Sequence, residues 1–261
     1  MELNMDFLRE YENLMNEDVE KALEFCINTL EESNNPEIYI YIGECYMALN
    51  LFEEAIEAID KGLKEGSVNI NFAKSLKGES LFYLEKYEES KEIFLELLKE
   101  RPNSFFSIAY LTDIDIKLGN YKEGVERAEE ALKKNKLDSK DSAYIEVNIG
   151  WIKLKYLNKE DEALNHFNHA LDLDINLGNA YIGFAEYYLR KEEYFKAIDN
   201  FEKAIDLGEN TLDVYFGIGL AYKGLGQLED ALEYFKVVYN ADESYEEAKK
   251  EIELIESVQS N

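Results

Sequence analysis

The chain has 261 residues, of which 46% are hydrophobic and 32% charged, so a packed interior can form beneath a charged coat. Asp and Glu number 56 against 28 Lys and Arg, and the formal charge of -28 would repel a phosphate backbone or an anionic membrane. Only 2 prolines occur. Because proline and turn clusters punctuate β-rich chains, the composition predicts an all-α protein.

The N-terminal segment MELNMDFLREY has acids where a signal peptide needs a basic and then an apolar run. No segment of the sequence approaches the ~20 apolar residues of a membrane span. Cys26 and Cys45 lie inside helical apolar patterns and not in a multi-cysteine framework, so we expect reduced thiols in a core. These features predict a cytoplasmic protein that binds neither nucleic acid nor membrane.

One pattern recurs seven times along the chain at intervals of 33 to 38 residues, as the starts show by subtraction. Each unit reads as two amphipathic helices joined by a tight turn. The predicted units span residues 3–35, 36–70, 71–104, 105–142, 143–177, 178–211 and 212–244. A last helix is expected over 245–258, where apolar residues form one stripe that would cover exposed core. We expect a single domain over residues 1–261.

Small residues recur at fixed positions of the units and predict close helix crossings. Glycine costs about 0.5 to 1 kcal/mol inside a helix, so its recurrence in first helices indicates that another helix approaches there. The first helices carry Gly43, Gly78, Gly150 and Gly219. The second helices carry Ala22, Ala55, Ser90, Gly124, Ala163, Ala197 and Ala231, and four residues later Cys26, Ile59, Phe94, Ala128, Phe167, Phe201 and Phe235.

These residues resemble the tetratricopeptide repeat (TPR), whose hairpin has Leu-Gly in its first helix, Gly-x-Tyr at the turn and Ala, Phe and Ala in its second. The match covers residues 3 to 245 and is strongest in GNAYIGFAEYYLRKEEYFKAIDNFEKAIDL. The resemblance implies an α-solenoid, a right-handed superhelix of about seven hairpins with a C-terminal capping helix. It also implies that first helices line a concave groove where a partner peptide or protein lies.

Two irregularities interrupt the repeat. The segment KKNKLDSKDS is expected to be a polar loop that takes up the longest interval. One additional residue falls between Gly150 and Ala163, which suggests an insertion near LNKED. That insertion leaves Trp151 with two interpretations, as a groove residue or as a core residue beneath the groove.

Residues at spacing i, i+3, i+7 and i+10 of the first helices share the face that the resemblance assigns to the groove. Aromatic and acidic side chains alternate on this face, and four units place an acid at one equivalent position. In so acidic a chain, coincidence explains that recurrence as well as a groove for a basic segment does. The candidate groove residues are Glu44, Met47, Phe72, Glu79, Phe82, Phe106, Asp113, Tyr144, Trp151, Glu186 and Phe216.

The sequence contains no Gly-rich phosphate loop, no thiol beside a histidine and no His-Glu-x-x-His motif, so we expect no enzyme, catalytic residue or cofactor. His166 and His169 lie three apart on one predicted helix and could present two imidazoles to a metal. No third ligand is recognisable nearby in the sequence. We therefore expect two surface histidines and no metal.

Three functions fit these patterns. The first is a scaffold or adaptor that binds a basic or amphipathic protein or peptide segment in the groove. The second is an acidic regulatory protein that sequesters a basic partner through its net charge. The third is a self-assembling structural protein, a homo-oligomer built through exposed hairpin edges.

Overall fold

The computed structural model describes residues 3, 5–134 and 137–259, and within these residues it contains fifteen α-helices and no strand. The all-α prediction is confirmed. The helices are α1 Met5–Glu17, α2 Val19–Ser33, α3 Ile38–Ala48, α4 Phe52–Glu65, α5 Ile70–Tyr83, α6 Tyr87–Glu100, α7 Phe105–Lys117, α8 Tyr121–Lys134, α9 Ser139–Lys155, α10 Glu160–Leu173, α11 Gly178–Arg190, α12 Tyr194–Asp206, α13 Leu212–Gly224, α14 Leu228–Ala241 and α15 Glu246–Gln259.

The chain divides into two compact units, residues 1–131 and 132–261, with the boundary inside α8. A first helix packs against the second helix that follows it in the pairs α1–α2, α3–α4, α5–α6, α9–α10, α11–α12 and α13–α14. Within each unit, such a hairpin packs against the first helix that comes after it. The pairing follows the repeat pattern of the sequence. The count of seven repeats, the right-handed superhelix and the single domain over 1–261 stay predictions.

The first unit is held together by apolar side chains on successive hairpins and by one buried ion-pair network. Phe94 of α6 is fully buried, and its ring stacks on Tyr110 of α7 with centroids 4.8 Å apart. Asp115 of α7 is also fully buried and forms ion pairs with Lys91 of α6, at 2.8 Å, and with Arg127 of α8. This carboxylate therefore joins three helices.

The second unit is built around phenylalanines that fill slots between first helices. The fully buried ring of Phe167 lies between Gly150 of α9 and Gly183 of α11. An added Cβ at either glycine would lie 2.5 Å from this ring. The glycines therefore create the space that the ring occupies, as the recurrence of small residues in the sequence predicts.

The turns explain the irregular spacing. In the turns after α3, α5, α7, α11 and α13, a backbone N–H donates to the carbonyl five residues earlier, as Leu51 does to Tyr46. After α9 the corresponding bond runs six residues back, from Lys159 to Lys153. The additional residue thus lies in the turn beyond Trp151. The helical phase of α9 is preserved, and Trp151 occupies the same repeat position as Glu44.

Of the described residues of the predicted polar loop 133–142, residues 133, 134 and 139–142 are helical, and only 137 and 138 are not. α8 continues through Lys134, and α9 begins at Ser139, four residues before the predicted start of that unit. α9 begins early because Asp138 caps its N-terminus: the Asp138 side chain accepts a hydrogen bond of 2.8 Å from the backbone N–H of Asp141. Residues 135 and 136 of the predicted loop lie outside the described part of the chain.

The final helix covers the apolar side of the hairpin before it. Ile255 of α15 is buried against Ala231 and Phe235 of α14, and Glu251 of α15 pairs with Lys223 of α13 at 2.5 Å. This helix spans Glu246–Gln259, and the capping role expected of a helix over 245–258 stays a prediction.

Candidate functional site

The first unit presents one acid from each of three first helices. Glu44 of α3, Glu79 of α5 and Asp113 of α7 occupy equivalent repeat positions, and all three are half-buried. Tyr11 Oη donates a hydrogen bond of 2.8 Å to Glu44 Oε2, and the hydroxyl of Tyr110 donates to Glu79. We call these acids the acidic row of the first unit.

Burial shifts the titration of the acidic row. It raises the pKa of Glu44 and Glu79, while a tyrosine hydroxyl bonded to each carboxylate opposes the shift. The charge of Glu79 raises the pKa of Glu44 further. Burial raises the pKa of Asp113 to about 6, with the charge of Lys117 opposing it. The ionised forms are therefore less stable here than in water.

Among the described residues, no Lys or Arg nitrogen lies within 4.0 Å of a carboxylate oxygen of the acidic row. Asp115, only two residues after Asp113, has two such cations beside it. Two residues turn a helix by about 200°, so the two aspartates face opposite sides of α7. The paired acid is structural, whereas the acidic row presents negative charge.

Aromatic side chains lie beside the acidic row. The rings of Phe82 and Phe106 both contact Tyr110, with centroids 5.4 Å and 4.8 Å away. Phe106 is 41% exposed. Phe72 is half-buried with its ring 6.1 Å from that of Tyr41, and Met47 is half-buried beside the core between α3 and α5. The structure thus gathers Phe82 and Phe106 around one tyrosine and leaves Phe72 and Met47 nearer the core.

The second unit contains an open cavity of about 680 Å³, lined by the first helices of three successive hairpins. Three of the predicted site residues, Trp151, Glu186 and Phe216, line it together. Tyr144 is 40% exposed and is not part of its lining. The full lining is Trp151, Lys155, Asn179, Ile182, Glu186, Glu209, Thr211, Asp213, Phe216, Gly217, Leu220 and Tyr245.

Trp151 lines the cavity and also packs on the core. Its ring contacts Phe167 edge-on with centroids 5.6 Å apart, and its Nε1–H donates to Asn179 Oδ1 at 2.9 Å. Lys155 Nζ lies 4.4 Å from the centroid of the Trp151 ring. Burial raises the pKa of Glu186, with the charges of Lys155 and Arg190 opposing the shift. The cavity thus already holds an ammonium group between an aromatic face and acids.

The tetratricopeptide-repeat profile matches residues 36–65 and 176–244, which include α3–α4 and α11–α14. A crystal structure of a tetratricopeptide repeat protein from Parabacteroides merdae is 17% identical, covers 96% of this chain and 97% of that chain, and has a TM-score of 0.72.

The chain contains tetratricopeptide repeats.

Two further solved structures share the fold of this TPR protein. The Cut9–Hcn1 hetero-tetramer of the APC/C is 16% identical and has a TM-score of 0.74, covering 94% of this chain and 48% of that one. YrrB, described as a TPR protein with an unusual peptide-binding site, is 17% identical and has a TM-score of 0.51, covering 75% and 97%. No catalytic family is indicated. No curated protein matched the sequence.

None of the described helices of this TPR protein has the length and apolar character needed to cross a membrane.

Sequence reasoning missed the partners that the acids of this TPR protein have on neighbouring helices. Tyr110 lies four residues after Phe106, so a wider stripe on α7 would have included it. Tyr11 and Tyr245 reach Glu44 and Asp213 from other hairpins, the latter through a hydrogen bond of 2.7 Å. A pattern read within one helix carries no signal for such contacts.

The raised pKa of Asp113 predicts a pH-dependent stability. Its folded-state pKa of about 6 exceeds the ordinary value of 3.8, so ionisation destabilises the TPR fold as pH rises through this window. About two pKa units correspond to roughly 3 kcal/mol. Since the side chain keeps contact with solvent, we expect Asp113→Asn to raise the free energy of unfolding by about 1 to 2 kcal/mol at pH 7.

At pH 4 most of this gain should vanish, because Asp113 of the folded wild-type protein is then already protonated. Urea unfolding measures the free energy of unfolding of each protein at pH 4 and pH 7. Asp172→Asn, at an exposed position, is the matched control and should change neither. A gain from Asp113→Asn that is equal at pH 4 and pH 7 would contradict the assignment of its pKa.

Proposed function

We propose that this TPR protein is a scaffold that binds a basic or amphipathic segment of a partner protein. The binding faces are formed by first helices, through the acidic row in the first unit and the cavity in the second. Its membership of a repeat family of protein-binding scaffolds supports protein binding in general. The solved relative YrrB, whose description includes a peptide-binding site, is consistent with this role.

The observation that carries the proposal is the state of the acidic row. Its three carboxylates are half-buried, their pKa values are raised, and no Lys or Arg nitrogen of the described chain lies within 4.0 Å. A cation arriving from a partner would supply the missing counter-charge in a region partly shielded from water. Such an interaction is stronger than the same ion pair on an open surface.

The aromatic residues supply the other half of the recognition. Aromatic side chains dominate binding energy at protein interfaces because they bury a large apolar area with few rotamers to fix. Phe106 packs on Tyr110, the hydrogen-bond donor of Glu79, and Trp151 and Phe216 line one cavity with Glu186, so each unit has such an anchor near an acid. The contact of Lys155 with the Trp151 ring shows how this surface holds an alkylammonium group. A segment that combines Lys or Arg with apolar residues fits both features.

The test is a selection of peptides from a random displayed library on the purified protein. We expect enriched peptides to combine basic and apolar residues. A selected peptide that depends on the first unit should bind Glu44→Gln/Glu79→Gln/Asp113→Asn at least about tenfold more weakly, equivalent to about 1.4 kcal/mol, because each lost charge-assisted contact costs about this much.

The control removes the same number of charges elsewhere. Glu53, Glu54 and Glu57 are exposed on α4, and their triple change to Gln alters net charge equally. Binding should be nearly unaffected by this control and should survive moderate salt. If both triple variants weaken binding equally, the chain captures basic partners through its overall charge, and the proposed site is wrong.

A further inference from the structure

The hairpin of α9 and α10 brings together three metal-binding side chains that lie far apart in the sequence. Glu146 comes from α9, and His166 and His169 come from α10. One ligand atom from each can be chosen so that all lie within 4.8 Å of one another. The sequence analysis found the histidines but no third ligand, because Glu146 lies 20 residues before His166 and only the folded hairpin places it there.

Both imidazoles turn a nitrogen toward the same carboxylate. His166 Nδ1 lies 2.5 Å from Glu146 Oε2, and His169 Nδ1 lies 3.8 Å from Glu146 Oε1. The side chains of Glu146 and His166 are 13% and 14% exposed, whereas that of His169 is 62% exposed. Two ligands are thus held inside the hairpin, and the third closes the site from the solvent side.

We propose that Glu146, His166 and His169 form a binding site for a divalent transition-metal ion of the Zn²⁺ class. Two imidazole nitrogens and one carboxylate oxygen suit zinc better than the oxygen-seeking Mg²⁺ or Ca²⁺. Three protein ligands leave a fourth tetrahedral position for water. The bound ion would cross-link α9 and α10 of the second unit.

The geometry requires small adjustments, because ligand atoms that lie within 4.8 Å of one another must move to a common spacing. Zinc–nitrogen and zinc–oxygen bonds of about 2.1 Å place tetrahedral ligand atoms about 3.4 Å apart. The separation between His169 and Glu146 is already close to this value. The His166–Glu146 pair is closer because a hydrogen bond joins the two groups. When the metal binds Nδ1, the ring proton moves to Nε2 of the same imidazole, and the pair separates by about 1 Å.

Lys153 sets the affinity of this site. Its Nζ lies 2.9 Å from His166 Nε2 and 3.1 Å from Glu162 Oε2. When His166 binds a metal through Nδ1, its Nε2 must carry the ring proton and becomes a hydrogen-bond donor. The ammonium group of Lys153 is also only a donor, so it cannot accept a hydrogen bond from Nε2–H. Lys153 therefore has to turn toward Glu162. A Gln at position 153 would offer an oxygen to the ring N–H instead.

The experiment is a Zn²⁺ titration of the chelator-treated protein in competition with a chromophoric chelator. One site per chain should stand out above weak binding to the acidic surface. Glu146→Gln and His169→Gln should each weaken this site at least about tenfold, and Lys153→Gln should strengthen it several-fold. Asp161→Asn is the matched control: it removes one exposed acid of α10 and should not weaken binding.

Nuclear magnetic resonance of the imidazole nitrogens gives a second readout, since the chain has only 2 histidines. Zn²⁺ should shift the Nδ1 resonances of both rings in the parent protein. His169 is exposed, so its substitution leaves the fold intact and keeps the test decisive. Equal Zn²⁺ affinity of Glu146→Gln and Asp161→Asn, or unshifted Nδ1 resonances, would overturn the proposal.

Discussion

Replacing Asp115 with Asn should lower the free energy of unfolding by about 3 kcal/mol, because it leaves two cations facing a neutral group in a buried position. The Asp115 side chain is 0% exposed, and the side chains of Lys91 and Arg127 are only 12% and 15% exposed. The three residues belong to three successive helices. The loss should therefore loosen α6, α7 and α8 together.

The control for this prediction lies in the same network. Glu123 pairs with Lys91 at 3.3 Å and with Arg127 at 2.8 Å, but its side chain is 57% exposed. Glu123→Gln should cost no more than about 1 kcal/mol, as exposed ion pairs do. Chemical unfolding followed by circular dichroism compares the two variants. If Asp115→Asn costs no more than Glu123→Gln, the buried carboxylate does not join these helices as described.

Gly183→Ala should destabilise the second unit by about 3 kcal/mol. Its new methyl group would lie 2.5 Å from two atoms of the Phe167 ring. The ring is closely packed against α9 as well, since a Cβ added at Gly150 would also lie 2.5 Å from it. Overpacking of this kind costs about 1 to 3 kcal/mol and sometimes more, which outweighs the helix preference of Ala over Gly.

Two comparisons isolate the steric cause. Gly78 holds the repeat position of Gly150, but a Cβ added there would lie 3.0 Å from its nearest ring atoms, in Phe94, so Gly78→Ala should cost clearly less. Phe167→Leu should destabilise the wild-type protein. In the Gly183→Ala background, the same change should restore part of the lost free energy of unfolding, because the smaller side chain leaves room for the new methyl group. A double-mutant cycle measures this coupling. Additive effects in that cycle would show that the ring is not the obstacle.

The sequence predicted the helices and their packing partners well where a small residue and a large one alternate at fixed spacing. Gly150 and Phe167 illustrate this, since the recurring glycine indicated the close crossing that the ring now fills. It also predicted the position of Glu44, Glu79 and Asp113, because these acids follow the repeat within single helices.

Contacts between helices were harder to predict. Asp115 and Asp113 are the same residue type two positions apart, and only the packing of α6 and α8 makes one structural and the other part of the acidic row. Glu146 contacts His166 because of the way α9 and α10 are aligned along each other, with one additional residue in the turn between them. This alignment depends on three-dimensional packing, which a single sequence does not specify.

The acidic row itself can be tested by counting protons. At pH 6, Asp113 with a pKa of about 6 carries about half a proton, and a cation beside it favours release of that proton. Calorimetric titration of the selected basic peptide in two buffers of different ionisation enthalpy measures the number of protons released. The account predicts net release at pH 6 that is reduced in Asp113→Asn. Binding without proton release, or with equal release by Asp113→Asn, would contradict the claim that the partner's cation lies on the acidic row.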